Sequence, residues 1–286
     1  MGTADIVPGV SGGTIALILG FYTRLIEAIR AFDGTLLLYL YRGKPMAAAR
    51  HVDLGFLLSL GVGIAAALLF FTRIIPLPIL LRAYPEFIYG LFFGLIVASI
   101  VFLIRTLEHF DLRDGSWLLV GVMVGYWIVN LTPTHTPEEP WFIFISGTLA
   151  ICAMILPGIS GSLMLLILNK YTYLLDAVRE FDFGVLVPFC LGALMGLLLF
   201  SRLLMWLLRN FHRITFLVIT GVLIGSLWLI WPFQARTYQD IQGKHHLVDS
   251  TPIWPREFDE TTVAVLCLIM LGMATVAAID SLARRT

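Results

Sequence analysis

The chain has 286 residues, of which 59% are apolar and 13% charged, and its mean hydropathy is +0.90. Ordinary soluble domains are roughly 45–50% apolar and about 25% charged, so the composition excludes a soluble fold. Lys plus Arg and Asp plus Glu both number 19, so no net charge points to nucleic acid, and any electrostatic function must be local.

The first apolar segment is interrupted almost at once by Val7-Pro8-Gly9-Val10-Ser11-Gly12-Gly13-Thr14. After Gly13 the uncharged run reaches only Tyr22, about 15 Å of helix, where a hydrocarbon core of roughly 30 Å would have to be crossed. We therefore expect a re-entrant hairpin over residues 4–31. Its irregular backbone must be buried in protein or line a cavity, because lipid cannot satisfy free N–H and C=O groups.

Charge-free stretches long enough to cross the membrane follow this motif. The predicted spans are 54–72, 87–104 and 115–131, and then 183–201, 214–233 and 262–279. A second interrupted segment over 141–180 lies between the two sets. The longest connector, Gln234–Glu260, is rich in polar residues and Pro, and we expect it to be an exposed loop.

The second interruption, Leu156-Pro157-Gly158-Ile159-Ser160-Gly161-Ser162, is a copy of the first. Shifting the chain by 149 residues aligns Ile6–Asp33 with Ile155–Asp182, with 15 identities in 28 positions. A weaker similarity continues from Gly55–Arg73 to Gly184–Arg202. The chain is therefore an internal duplication with halves 1–131 and 141–286.

Each half has one hairpin and three spans, and because three is odd the second half should be inverted relative to the first. With the C-terminus inside, the inside connectors hold 12 Lys and Arg residues and the outside ones 7. If the hairpin limbs were full spans, the repeats would instead be parallel. We predict an all-α polytopic membrane protein with an inverted repeat, each half a re-entrant helical hairpin plus three transmembrane helices.

Inverted repeats with broken helices that meet near the bilayer midplane are typical of secondary transporters. Here a returning helix would begin at each of the two motifs, and its free N–H groups and hydroxyls suit a phosphate or carboxylate oxygen. The candidate substrate-binding residues are Ser11, Gly12, Gly13, Thr14, Ser160, Gly161 and Ser162. The alternative is that these small residues only allow helices to pack closely.

Charged residues follow each hairpin with an i,i+3 spacing, as Glu27 with Arg30 and Asp176 with Arg179. Together with Arg24, the two arginines could capture a headgroup at the two mouths, each held by its acid. Interfacial salt bridges and snorkelling anchors are the competing interpretation.

Two further carboxylates are candidate charge partners. Asp5 precedes the first motif and has no counterpart, since Met154 occupies its place in the second copy. It is either a proton-coupling group or a simple flank. Glu86 belongs to a group of interfacial charges with Arg73 and Arg82. The Cys and His residues lack ligand spacing and no Walker A motif is present, so we expect no metal, no cofactor and no ATP drive.

The run from Ala4 to Leu17 followed by Gly20-Phe21-Tyr22, together with Leu156–Ser162, resembles the bacterial polyprenyl-phosphate transporter family. The resemblance covers essentially the whole chain. It implies translocation of undecaprenyl phosphate, the lipid carrier of cell-envelope synthesis, back to the inner leaflet of the cytoplasmic membrane. It implies a multi-pass protein whose substrate is a polyprenyl-phosphate lipid. The first hairpin departs from the second at its start, where Met1–Ile6 stands against Trp141–Leu156.

Two other activities are weighed against this one. Intramembrane undecaprenyl-diphosphate phosphatases also carry an inverted repeat with Pro-Gly-x-Ser turns, but their second turn continues with an arginine, where this chain has Gly12 and Gly161. Neither turn offers a His or Arg for hydrolysis, so we do not expect an enzyme. An ion-coupled carrier of a small soluble anion is the second alternative.

Overall fold

The computed structural model describes residues 1–7, 10–75, 77–105, 110–131, 136–241, 244–255 and 259–283. Helices dominate these residues, and a π-helical turn, Phe70–Ile74, extends one of them. The helices of the first half are α1 (Gly2–Ile6), α2 (Gly12–Ile18), α3 (Tyr22–Arg30), α4 (Gly34–Tyr41), α5 (Pro45–His51), α6 (Leu54–Leu69), α7 (Leu77–Ala83), α8 (Pro85–Arg105) and α9 (Leu112–Val129). Those of the second half are α10 (Pro140–Ile155), α11 (Gly161–Ile167), α12 (Tyr171–Glu180), α13 (Phe183–Asn210), α14 (His212–Ser226) and α15 (Glu260–Ala283), with strands β1 (Gln234–Ile241) and β2 (Lys244–Pro252).

The molecule is a largely helical, multi-pass membrane protein. Among the described residues, four helical stretches are long and apolar enough to cross a bilayer: Leu54–Ile74, Pro85–Arg105, Phe183–Asn210 and Glu260–Ala278. Helices α10 and α14 are apolar but shorter. A helix occupies each of the six predicted spans, although their placement in a bilayer and the division into two halves remain predictions.

Two helix ends differ from the sequence prediction. Helix α13 continues to Asn210, well past the predicted end at Ser201. Arg202 and Arg209 lie on its exposed side, so the helix can continue without burying their charges. Helix α14 ends at Ser226, before the predicted limit at residue 233. The chain turns there, and Pro232 disfavours helical backbone at the residue before it.

The connector after α14 is not the irregular loop expected from its composition. Strands β1 and β2 pair antiparallel from Gln234 with Pro252 to Ile241 with Lys244, with an irregularity between Thr237 and Tyr238. The Thr, Tyr, Val and Ile residues in these strands have high β propensity. The prediction gave more weight to the many polar residues of the connector and so missed the strands. The expectation of a loop was therefore wrong for this part of the connector.

Three long helix pairs form most of the described interior: α10 with α13, α9 with α14, and α8 with α15. Each pair meets at glycines, which allow backbones to approach closely as membrane helices require. A Cβ atom on Gly192 would overlap the carbonyl oxygen of Phe144, one on Gly221 that of Leu118, and one on Gly94 that of Ile269.

Two of these pairs join the halves reciprocally. The second span of the first half, α8, packs against the third span of the second half, α15, and the third span of the first half, α9, packs against the second span of the second half, α14. Exchanging the predicted halves leaves this pattern of helix pairs unchanged, while the orientation of one half relative to the other remains a prediction. The α9–α14 pair also has a polar tie at its end, where Arg213 Nε donates to Asp114 Oδ1 at 3.0 Å. This guanidinium lowers the pKa of Asp114, which precedes the apolar part of α9, to about 2.

We expect Gly192→Ala to destabilise the protein, because the added methyl group must displace the backbone of α10 at its crossing with α13. Overpacking of this kind costs about 1–3 kcal/mol. Thermal unfolding in detergent measures the effect. Gly61→Ala is the matched control, since nothing lies within 4 Å of the equivalent position on α6. Equal unfolding temperatures for the two variants would contradict the tight crossing.

Candidate functional site

The first interruption is held by polar contacts between short helices. Helix α1 ends at Ile6 and α2 begins at Gly12, while Pro8 and Gly9 lie outside the described residues. Ser11 caps α2 by accepting a hydrogen bond from Gly13 N at 3.1 Å, and Asp5 Oδ1 accepts one from Gly12 N at 2.8 Å. A Cβ on Gly12 would lie 2.6 Å from Asp5 Oδ2, so this position requires glycine.

The first segment then changes direction. Helices α2 and α3 are bent by 120° at a short break that contains Gly20 with φ of +76°. A left-handed backbone at this point favours glycine and ends α2. The limb from Gly12 therefore does not continue as one straight rod into α3.

At the second interruption the chain folds back on itself. Helix α10 ends at Ile155, Gly158 has φ of +91°, and α11 begins at Gly161 and packs along α10. A Cβ on Gly161 would lie 2.8 Å from the carbonyl oxygen of Ala150, five residues before the end of α10. This reversal is the shape that the predicted hairpin requires; its depth in the bilayer remains a prediction.

The structure brings the two motifs into direct contact through buried hydrogen bonds. Ser11 Oγ donates to the carbonyl oxygen of Met154 at 3.2 Å, and Gly158 N donates to Thr14 Oγ1 at 3.0 Å. Tyr22 Oη donates to the carbonyl oxygen of Ile155 at 3.1 Å. Side chains of the first copy thereby satisfy backbone groups that the break in the second copy leaves free.

A cavity of about 310 Å³ lies where the motifs meet. Its polar lining comes from both copies: Asp5, Ser11, Ser160, Gly161 and Ser162. The rest of the lining is apolar or small and comes mainly from α10, α11 and α13: Val10, Gly147, Ala150, Ile151, Met154, Leu165, Phe189 and Ala193. Such a cavity suits a ligand with a small polar head and an apolar continuation.

The hydroxyls of the two copies are not equally available to a ligand. The hydroxyl of Ser11 already donates to Met154 and accepts from Gly13. Ser160 Oγ and Ser162 Oγ lie 2.7 Å apart, and only one hydrogen of that pair is used between them. The second hydroxyl hydrogen can be donated to an oxyanion. Gly12, Gly13 and Thr14 are buried behind the cavity and do not line it.

The charged residues after the first hairpin lie outside this lining. Arg24 Nε contacts Asp53 Oδ2 at 2.7 Å, and both side chains are well exposed. Glu27 does not hold Arg30 as the i,i+3 spacing predicted. Its carboxylate lies 3.4 Å from Arg209 of α13, which approaches from a residue far away in the sequence. Arg30 itself is half-buried.

The charges of the second half are also separate from the cavity. Asp176 and Arg179 are exposed on α12, and within the described chain they do not form the predicted ion pair with each other. Glu86 is half-buried near the start of α8. None of the three lines the cavity. Geometry therefore divides the candidate residues into a central group and a peripheral one.

Sequence reasoning missed a buried cation at the mouth of the second hairpin. Lys170 is only 2% exposed, its Nζ donates to the carbonyl oxygen of Thr136 at 3.1 Å, and the rings of Phe142 and Tyr173 lie within 6 Å. The alignment of the two copies could have indicated a buried position for Lys170, because the residue aligned with it is the aromatic Phe21. The small residues Gly147 and Ala150, spaced i,i+3 on α10, could likewise have indicated the cavity wall.

The architecture defines the class of protein: a multi-pass helical membrane protein with a largely apolar cavity that carries a few polar groups between two broken helical segments, as in secondary transporters. Within that class, the chain belongs to the family of undecaprenyl phosphate translocase-like proteins, whose model matches residues 1–248.

Two relatives carry the name polyprenyl-phosphate transporter. The chain is 37% identical over 294 residues to the one from Vibrio cholerae, and the alignment covers 100% of this chain and 94% of the relative. It is 28% identical over 250 residues to the one from Staphylococcus aureus, covering 81% of this chain and 83% of the relative. The family and both names indicate a transporter rather than an enzyme. No solved structure matches the chain.

We expect Ser11→Ala to lower stability, because it removes the cap of α2 and leaves the carbonyl oxygen of Met154 without its donor. Leaving a buried polar group unpaired costs about 1–3 kcal/mol. The comparison is thermal unfolding against Ser59→Ala, whose hydroxyl is exposed and bonds only to Phe56 of its own helix. A loss no larger than that of the control would show that the two copies do not depend on this link.

Proposed function

We propose that the protein translocates undecaprenyl phosphate across the bacterial cytoplasmic membrane and returns it to the inner leaflet for reuse in cell-envelope synthesis. The observation that carries the proposal is the cavity shared by the two motifs, to which Ser11 contributes from one copy and Ser160 and Ser162 from the other. Membership of the family and the names of both relatives support the same substrate class.

The size and lining of the cavity support this type of ligand. A volume of about 310 Å³ is at the lower end of the range for small-molecule sites, roughly 300–1,000 Å³. The phosphate and the first part of the isoprenoid fit this space, and the remainder of the long tail stays in lipid. The hydroxyls of Ser160 and Ser162 face the phosphate, while Ile151, Leu165 and Phe189 offer apolar surface to the chain.

The proposed mechanism is alternating access between two re-entrant hairpins of opposite orientation. Each hairpin opens to one side of the membrane, and the head passes from one to the other through the shared cavity. The contacts between Ser11 and Met154 and between Thr14 and Gly158 lie at the closest approach of the hairpins. A change of access would have to loosen or rearrange these contacts.

Asp5 is the proposed proton-coupling group. Its carboxylate lines the cavity and bonds to Gly12 N, so an ionised Asp5 would repel a phosphate dianion bound to Ser160 and Ser162. A proton on Asp5 removes that repulsion and enters with the lipid. The coupled proton offsets the electrostatic cost of carrying the anion toward the negative interior.

The peripheral charges are proposed to act at the mouths. Arg24, Arg30 and Arg179 would attract the phosphate before it enters, and Glu27, Asp176 and Glu86 would position neighbouring cations or tune the local field. Because Arg24 is already bonded to Asp53, its share in this capture requires exchange of partners.

The central prediction concerns Ser160 and Ser162. In proteoliposomes with labelled undecaprenyl phosphate, we expect Ser160→Ala/Ser162→Ala to slow leaflet exchange tenfold or more, because a hydrogen bond to a charged group contributes about 1.5–3 kcal/mol. Ser59→Ala/Ser116→Ala is the matched control, since both of those exposed hydroxyls bond only to carbonyls of their own helices. Exchange at the parent rate in the Ser160/Ser162 variant would remove the cavity from the mechanism.

The same vesicles separate the competing activities. Release of phosphate from undecaprenyl diphosphate would indicate a phosphatase, and uptake of labelled inorganic phosphate would indicate a carrier of soluble anions. We expect neither, since the cavity offers no His or Arg and its lining is mostly apolar.

For Asp5, we expect Asp5→Asn to abolish accumulation driven by a pH gradient while downhill exchange continues. The amide oxygen of Asn can still accept from Gly12 N, so the local fold is retained, but the group no longer carries a proton. Accumulation of labelled lipid with and without an imposed gradient measures this. Glu180→Gln, an exposed acid at the end of α12, should behave as the parent. Accumulation that persists in Asp5→Asn would exclude Asp5 as the coupling group.

A further inference from the structure

The duplication is interrupted by a segment that only the first half contains. The offset between aligned residues is 149 up to Asp33 and 129 from Gly55 to Arg73, so Gly34–Asp53 has no counterpart in the second half. Asp33 and Asp182 are aligned, and each accepts a hydrogen bond from the backbone of the helix that follows it. In the second half that helix is the span α13, whereas in the first half it is α4, inside the inserted segment.

The inserted segment contributes little to the protein interior. Ala48 and Val52 near its end are buried, but helix α4 buries no residue. Leu37 is 68% exposed and Tyr41 is 91% exposed, and Met46 on α5 is 69% exposed. Core packing therefore does not explain why α4 is apolar.

The charged residues inside the inserted segment are all basic, and no acidic residue of the segment neutralises them. Arg42, Lys44 and Arg50 are exposed, and no acidic residue occurs from Gly34 to Val52. The acids at the two ends are already paired, Asp33 with His51 at 3.1 Å and Asp53 with Arg24 at 2.7 Å. Within the described residues the three cations form no ion pair.

We propose that Gly34–Asp53 is an interfacial anchor that binds anionic phospholipid in the leaflet at the mouth of the first hairpin. Binding at the membrane interface grows with the apolar area that enters the lipid and with attraction of basic residues to anionic headgroups, and this segment offers both. The apolar side chains of α4 enter the boundary of the hydrocarbon region, and Arg42, Lys44 and Arg50 contact lipid phosphates. The Arg24–Asp53 pair ties the end of the anchor to α3, so bound lipid lies beside the hairpin. The inference does not depend on the transported substrate.

The test uses the full chain in bilayers, with a fluorescent label at Met46→Cys after replacement of Cys152, Cys190 and Cys267 by alanine. Brominated phosphatidylglycerol and brominated phosphatidylcholine are compared as quenchers at equal mole fraction. We expect preferential quenching by phosphatidylglycerol, about fivefold in association for each cation, which diminishes at high salt. Arg42→Gln/Lys44→Gln should lose most of this preference.

The control pair is Arg113→Gln/Arg202→Gln. This pair also removes two positive charges, from exposed arginines that charge counting places on the same side of the membrane as Arg42 and Lys44. The control variant should retain the preference for phosphatidylglycerol. Unfolding temperatures equal to the parent's show that each variant is folded. Equal quenching by the two lipids, no quenching by either, or the same loss in both pairs would overturn the proposal. Displacement of the brominated lipid by a trace of undecaprenyl phosphate would also overturn it, since the occupant would then be the transported lipid.

Discussion

The structure depends on one constraint: polar backbone groups that a helix break exposes inside a membrane must find partners within the protein. In this chain the partners of one break come from the other break. The carbonyl oxygens of Met154 and Ile155 accept from Ser11 and Tyr22, and the amide of Gly158 donates to Thr14. The amide of Gly12 at the first break is satisfied within its own copy, by Asp5. The second break therefore depends on side chains of the first copy for its backbone hydrogen bonds.

The hydrogen bonds between the two motifs also determine which polar groups remain available to a ligand. Ser11 and Thr14 use their hydroxyls to join the copies, and Gly12 N is bonded to Asp5. The pair Ser160 and Ser162 retains a free hydroxyl hydrogen at the cavity. Equivalent positions in the two copies thus serve different purposes. The first motif mainly holds the site together, and the second mainly faces the cavity.

The sequence allowed prediction of features that depend on local pattern or on repetition. The breaks near Gly9 and Gly158 and the helices at six apolar stretches follow from composition, and the pairing of the motifs was expected from their identity. Long-range partners could not be predicted in this way. The spacing of Glu27 and Arg30 suggested an ion pair, but Arg209 of α13 reaches Glu27 instead. Burial of Lys170 likewise depends on Thr136, which precedes the second hairpin, and on Phe142 at the start of α10.

In the proposed mechanism, differences between the two predicted halves would determine the direction of transport. A carrier with identical halves would treat the two sides of the membrane alike, and only residues that break the repeat can distinguish them. At the cavity the difference is Asp5, whose place in the second copy is taken by Met154, so of the two copies only the first contributes a carboxylate to the lining. At the mouths, Phe21 corresponds to the buried Lys170, and Arg24 corresponds to Tyr173. The cation and the aromatic residue have therefore exchanged positions, and Arg24 lies over Phe56 while Lys170 lies near Tyr173. The proposed alternating access requires symmetry between the predicted halves, and in that proposal these few side chains provide the asymmetry that net movement requires.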